Sequence, residues 1–266
     1  MMMTSARSLG DHLRDWRKLR RMSQLDLALE AEISQRHLSF IESGRSTPSR
    51  DMLLHLAERL GVPLRERNPM LLAAGYAPLF AERSLDDPAL KPARLAVDMV
   101  LKAQEPFPAL AIDRHWTLLA ANAAIAPLLA DVTEKSLLEG PVNVLRLSLH
   151  PGGLAPHIVN LAEWRAHLLE RLRQQIDTSG DPILGALLKE LQELSPGGTP
   201  ADETKHDYAG IAVPLRLHTS AGTLSLISTT TVFGTPVDVT LSELAIESFF
   251  PADEETAAIL RKPADG

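Results

Sequence analysis

Residues 23–50, SQLDLALEAEISQRHLSFIESGRSTPSR, carry three helix starts in one short run. Ser23 has the character of an N-cap, and Asp26, three residues on, stands in a capping-box position. Leu25, Leu27, Ala28 and Ala31 continue the helix that Ser23 opens. The chain turns at Glu32-Ile33, and Ser34 caps a helix from Gln35 to Ser43 whose inward positions are Leu38 and Ile41. Gly44 follows at C′, where a left-handed backbone is cheapest for glycine. Pro48 breaks the chain and Ser49 caps again. Punctuation this dense excludes both a long strand and a single long helix. It predicts two short helices joined by a tight turn, with a third starting just after.

The flanks extend the pattern. Leu9, Leu13, Trp16 and Leu19 or Arg20 follow helical spacing, with Arg14, Arg17, Lys18 and Arg21 on the other face. After the cap at Ser49, Met52, Leu53, Leu56, Ala57 and Leu60 form a stripe that Gly61 and Pro63 close. A fifth helix runs roughly from Leu64 to Ala74, with Pro69 inside it as a possible kink. Residues 1–75 thus read as an all-α domain of five helices. Ser23-Gln24, Leu27-Ala28, Ile33-Ser34, Leu38, Ile41-Glu42, Gly44, Pro48-Ser49, Leu56-Ala57 and Leu60-Gly61-Val62 together resemble the helix-turn-helix domain of the Cro/C1 repressor type, the XRE family. That resemblance implies binding to double-stranded DNA.

Physical reasoning then assigns contacts. A helix in the major groove reads base edges near its N-terminus, and the preceding helix sets its own N-terminus on phosphate. Gln24 is placed to donate to phosphate. Gln35 suits adenine and Arg36 suits guanine, because each pairs bidentately with that base. Ser39 and Phe40 lie one turn on, with Phe40 suited to a thymine methyl. Ser43 and Arg45 are phosphate candidates. His37 reads equally as a phosphate donor or as a surface histidine without a role. The resemblance also implies an ion pair within the domain between Arg17 and Glu42; the alternative is a merely solvated Glu42.

The net charge of −7 conceals an asymmetry. Residues 1–80 hold 12 Lys and Arg against 9 Asp and Glu, and the remainder holds 15 against 25. A weakly basic head on an acidic body is what is expected if only the head meets phosphate, although chance clustering gives the same pattern. With 45% hydrophobic and 23% charged residues the chain can bury a real core. The absence of cysteine excludes disulfides, cysteine-zinc sites and thiol catalysis. Without an apolar leader or a spanning stretch, the expectation is a cytoplasmic protein that does not enter the membrane.

Pro78, Pro88 and Pro92 punctuate a connector, 76–92, that reads as semi-rigid or as packed against one domain. Beyond it, residues 93–266 read as an α+β domain with an antiparallel sheet. Asp87-Pro88 starts a helix to about Ala103 that buries Leu95, Val97 or Met99, and Leu101 or the stem of Lys102. Ala109–Ile112 and Trp116–Ala120 form a hairpin about Asp113-Arg114-His115. Asn122 caps a short helix, and Val142–Leu149 forms another. A longer helix buries Ile158, Leu161, Trp164, Leu168 and Leu172, leaving Arg165, Glu170, Arg171 and Arg173 outside. Asp181-Pro182 starts a helix to about Leu194, and 195–207 reads as an exposed loop. Ile211 to Leu217, with Pro214 marking an edge, and Thr223–Phe233 read as strands. Val237, Val239 and Leu241 alternate, then Leu244, Ile246 and Phe250 do so in the opposite parity, with a bulge or break near Ser242-Glu243. The end reads as a frayed tail or a short helix.

This order of elements, with MLLAAGYAP at 70–78, Pro108-Ala109-Leu110, the Trp116 strand into Ala121-Asn122, Asn143-Val144-Leu145-Arg146, His150-Pro151-Gly152 and Phe250-Pro251-Ala252-Asp253, resembles the PAS-like ligand-binding domain of MmyB-type, or MltR-like, transcription regulators. The resemblance implies a bacterial regulator with an apolar pocket, for which a fatty acid is one kind of ligand. Trp116 and Trp164 admit two readings, core filling and cavity lining. With Leu118 they are the pocket candidates, and Arg146 is the candidate partner for a carboxylate. No HExxH, no glycine-rich phosphate loop and no GxSxG elbow is present, so no catalytic residue, metal or cofactor is assigned. The expectation is a ligand-responsive regulator that binds a palindromic operator as a homodimer. The alternative is a constitutive DNA-binding protein whose second domain only dimerises or holds a partner.

Overall fold

The computed structural model describes residues 7–85, 87–194, 213–234 and 238–262. The run 195–207, Ile211 and Val237 lie outside the described residues. The chain divides into two units, one built on the residues up to Arg83 and the other on most of the rest.

The first unit is five helices: α1 (Leu9–Leu19), α2 (Gln24–Glu30), α3 (Gln35–Glu42), α4 (Arg50–Arg59) and α5 (Leu64–Ala73). Local chemistry sets their ends. Ser8 with Asp11 and Ser23 with Asp26 form full capping boxes, while the Ser34 and Ser49 hydroxyls accept from His37 N–H and Met52 N–H. The helices close with paired backbone bonds; after α2, Glu32 N–H donates to Leu29 C=O and Ile33 N–H to Ala28 C=O. That closure needs a left-handed residue at C′. Gly44 supplies it after α3, but Glu32 does so after α2 with φ +55°. Leu13, Leu27, Leu38, Ile41, Leu53, Leu56, Leu60, Met70 and Leu71 fill the core. Leu25 is exposed, since only Leu27 and Ala28 of α2 face inward.

The start of the connector is folded onto this unit. The Tyr76 hydroxyl donates to Pro48 C=O at 2.9 Å. The Asn68 amide accepts from the N–H groups of Leu79 and Phe80 and donates to Phe80 C=O. Arg65 pairs with Glu82. A 3-10 turn, Pro88–Leu90, capped by Asp87, then leads into α6 (Lys91–Gln104).

The second unit is an antiparallel sheet of β1 (Ala109–Ile112), β2 (Leu118–Ala121), β3 (Leu215–Thr219), β4 (Gly222–Val232) and β5 (Ala245–Pro251), in the order β2-β1-β5-β4-β3. Between β2 and β3 come α7 (Val144–Leu149), α8 (Leu161–Ser179) and α9 (Pro182–Glu193), and α11 (Glu254–Arg261) follows β5; the short α10 (Val239–Ser242), which precedes β5 in sequence, groups with the first unit. Both faces of the sheet are covered. On one face Leu110, Ile112, Leu217, Leu224 and Leu226 pack with Trp164, Leu168, Leu172 and Leu191 of the helices. On the other, Ala109, Ala111, Leu244 and Ile246 pack with Val97 and Leu101 of α6.

Two covered faces explain several departures from the sequence expectations. The opposite parity of Leu244 and Ile246 reflects a second core, and the break before it is the helical turn α10 rather than a strand through Val239. Leu95 and Met99 are exposed, 56% and 70%, because α6 presents only Val97 and Leu101 to the sheet. Asn122 makes no side-chain cap; its amide is buried, accepts from Ala109 N–H and donates to the carbonyls of Leu101 and Phe107. It thereby ties the start of β1 to the end of α6.

Candidate functional site: a reading helix and an apolar cavity

In the first unit, α3 presents Gln35 and Arg36 to solvent at its N-terminus, with Ser39 and Phe40 half-buried behind them and Ser43 and Arg45 exposed past its end. The Phe40 ring is flanked by cations: the guanidinium of Arg36 lies 5.3 Å from its centroid and that of Arg45 5.8 Å. Each distance is within cation–π range, so Phe40 braces the two arginines as well as offering its own apolar edge. The Ser43 hydroxyl donates to Phe40 C=O at 3.3 Å.

Beneath this face lies an ion pair. Arg17 Nε donates to Glu42 Oε1 at 2.8 Å and Arg17 Nη2 to Oε2 at 3.0 Å, a bidentate pair with side chains 13% and 3% exposed. Gln24 Nε2 donates to Glu42 Oε2 at 2.8 Å, so the amide at the start of α2 is oriented by the same carboxylate. Arg14 Nη2 reaches Glu42 C=O and Arg17 Nη1 reaches Met22 C=O. Burial pushes the Glu42 carboxyl up, but hydrogen bonds from Arg17 and Gln24 and the charges of Arg17 and Arg14 outweigh it and hold the group below the usual carboxylate range. The Glu42 hydrogen bond raises Arg17 in turn. Gly10 lets α1 reach the end of α3, since a Cβ there would stand 2.1 Å from Glu42 O.

In the second unit a cavity lies between the sheet and the helical layer. Its volume is about 100 Å³, and it opens to solvent on one side. Trp116, Leu118 and Trp164 line it, with leucines from α7, α8 and the sheet. Trp116 is not within a strand. Asp113 Oδ1 accepts from the N–H groups of His115 and Thr117, and the turn delivers Trp116 with φ +65°. A left-handed backbone under a bulky side chain costs on the order of 1–3 kcal/mol. The indole offsets it with a bond from Nε1 to Gln175 Oε1 at 2.7 Å and with the Arg171 guanidinium over its face at 4.6 Å.

Arg146 is not in the lining. It makes a bidentate pair with Glu190 on α9, at 2.5 and 2.8 Å. The arginine at the cavity is Arg171, expected outside and found inward, paired with Glu247 of β5. Its position carried a signal: Arg171 is seven residues from Trp164 and three from Leu168, on the stripe that faces the sheet. Its charge argued the other way, and the buried Glu247 that neutralises it is 76 positions distant. Of the histidines, His115 lies 2.9 Å from Asp181 and His150 accepts from Gly152 N–H. Among the described residues no cluster of histidines and carboxylates is placed to hold a metal, and no helix is long and apolar enough to cross a membrane.

Comparison with known proteins agrees with this division. A helix-turn-helix family model matches residues 13–67. A model described as the MmyB-like transcription regulator ligand binding domain matches residues 93–262. No curated protein matches the chain. A DNA-binding helix-turn-helix and a ligand-binding α+β domain on one chain define a transcription regulator. The chain belongs to the MmyB-like transcription regulators.

Proposed function

We propose that this protein binds a palindromic DNA operator as a homodimer, in a bacterial cytoplasm, and that a small apolar ligand in the second unit alters that binding. The cavity carries the ligand reading. Its lining is almost wholly apolar, which suits an acyl chain. The acyl chain of the fatty-acid class that the family resemblance implies suits such a lining. The strand order β2-β1-β5-β4-β3, with helices inserted between β2 and β3, supports a PAS-like sensor domain. Gln35 and Arg36 read bases, with Ser39 and Phe40 beside them, while Gln24, Ser43 and Arg45 meet phosphate. One head covers a half-site, so a dimer sets two heads about 34 Å apart, or a multiple of that, along the duplex. The ligand shifts operator affinity only by binding two arrangements of the protein unequally.

The test is a thermal melt of the full chain with bacterial lipid extract, followed by mass spectrometry of what the purified protein retains. A rise in midpoint and a retained apolar molecule are expected. No shift with any lipid fraction would instead support a constitutive DNA-binding protein whose second domain serves only for assembly.

A further inference from the structure

The polar wall of the cavity is an ion pair whose charges cancel. Glu247 sits on β5, a central strand, directly opposite Thr230 of β4. Arg171 reaches it from α8. Arg171 Nη1 donates to Glu247 Oε2 at 3.0 Å, and Nη2 donates to Oε1 at 2.5 Å and to Thr230 Oγ1 at 2.6 Å. Thr230 Oγ1 donates to Glu247 Oε1 at 2.9 Å. The two side chains are 23% and 4% exposed, and both line the cavity.

We propose that the cavity selects an apolar molecule whose polar end is uncharged, such as an amide, alcohol or ester, over the same chain ending in a free carboxylate. This rests on the ligand reading above and specifies its head group. A carboxylate entering here meets a cation and an anion side by side, so the attraction of one is offset by the repulsion of the other. To gain its own bidentate bond it must displace Glu247 from Arg171. Glu247 belongs to an interior strand and cannot swing to water, so it would be left as a buried charge without its partner. An ammonium head would strand Arg171 in the same way.

A neutral head needs no such exchange. Three of the five N–H groups of Arg171 are used by the bonds above, leaving two for an added acceptor. Ser148 and Ser228 also line the cavity. Ser148 Oγ accepts from Trp164 Nε1 at 3.1 Å and, as a hydroxyl, carries a proton to donate. These groups match a carbonyl or hydroxyl. The rest of the lining, with Leu118, Leu128, Leu129, Leu154 and Leu217, takes the chain.

The experiment uses the full-length protein at pH 8 and ten-carbon probes: decanoate, decanamide and decanol. Affinities come from calorimetry and from intrinsic tryptophan fluorescence. The amide or the alcohol is expected to bind at least tenfold tighter than decanoate. Glu247→Gln, which removes the repelling charge and keeps the shape, is expected to raise decanoate affinity at least tenfold and to change decanamide affinity less than threefold. Equal or tighter binding of decanoate by the wild type overturns the head-group assignment and leaves the ligand reading standing. Binding of none of the three overturns the ligand reading for chains of this class, and the head-group assignment with it. The wild-type comparison decides the matter even if Glu247→Gln does not fold.

Discussion

Glu42→Ala is expected to unfold much of the first unit before the second. The carboxylate is almost fully buried, takes two bonds from Arg17 and one from Gln24, and sits below its usual pKa range. Removing one member of a buried pair strands the other, at a cost of roughly 3–5 kcal/mol. For a domain of this size each kcal/mol moves the midpoint by about 4–8 °C, so a fall of at least ~12 °C is expected. Local stability can be measured by hydrogen exchange on peptides spanning 9–42 in the full chain, with the second unit as internal control. Replacing both partners, as Arg17→Met with Glu42→Leu, should recover most of the loss, because no charge is then stranded. Acid should act likewise. The folded carboxyl is depressed, so the pair's contribution is present above the ordinary value of 4.5 and is lost as pH falls through the folded one. Glu42→Gln should flatten that acid limb. If Glu42→Ala costs under about 1 kcal/mol, as an exposed pair would, the pair does not hold the domain together.

Gly10→Ala, although alanine is the better helix former, is expected to cost about 1–3 kcal/mol by chemical denaturation, because the new methyl meets the Glu42 carbonyl rather than a movable side chain. Glu32→Gly should add roughly 0.5–1 kcal/mol in the same assay, by relieving a left-handed glutamate at a helix end. Arg36→Ala is expected to cost about 1–3 kcal/mol on the specific operator and to relax base preference, whereas Arg45→Ala should weaken specific and random DNA alike and lower the salt slope by about one. An unchanged operator preference in Arg36→Ala, read by competition binding, would remove that residue from the reading set.

The first unit was legible because its signals are local. Ser23, Ser34, Ser49 and Gly44 act within a few residues of themselves, and the apolar spacing around them matches the buried set. What was missed there depends on distant backbone: Gly10 matters only because α3 ends against it. The second unit was legible as an element order but not as a site. The family resemblance, rather than spacing, made Trp116, Leu118 and Trp164 pocket candidates, and which arginine joins them turned on the carboxylate each finds. Glu190 and Glu247 are 44 and 76 positions from those arginines, and no local pattern encodes that choice. The same holds for Asn122, whose cap position in sequence hid three bonds to other segments.

The placement of the three tryptophans divides the protein optically. Trp16 lies in the core of the DNA-binding unit, while Trp116 and Trp164 both border the cavity. A molecule entering the cavity would change the surroundings of two emitters and leave the third as a constant reference. Trp16→Phe would darken the reading unit and leave a chain whose whole indole signal reports occupancy. The pair Trp116→Phe and Trp164→Phe would leave only Trp16, whose signal reports the core of the first unit. Occupancy of the cavity can therefore be titrated without a label.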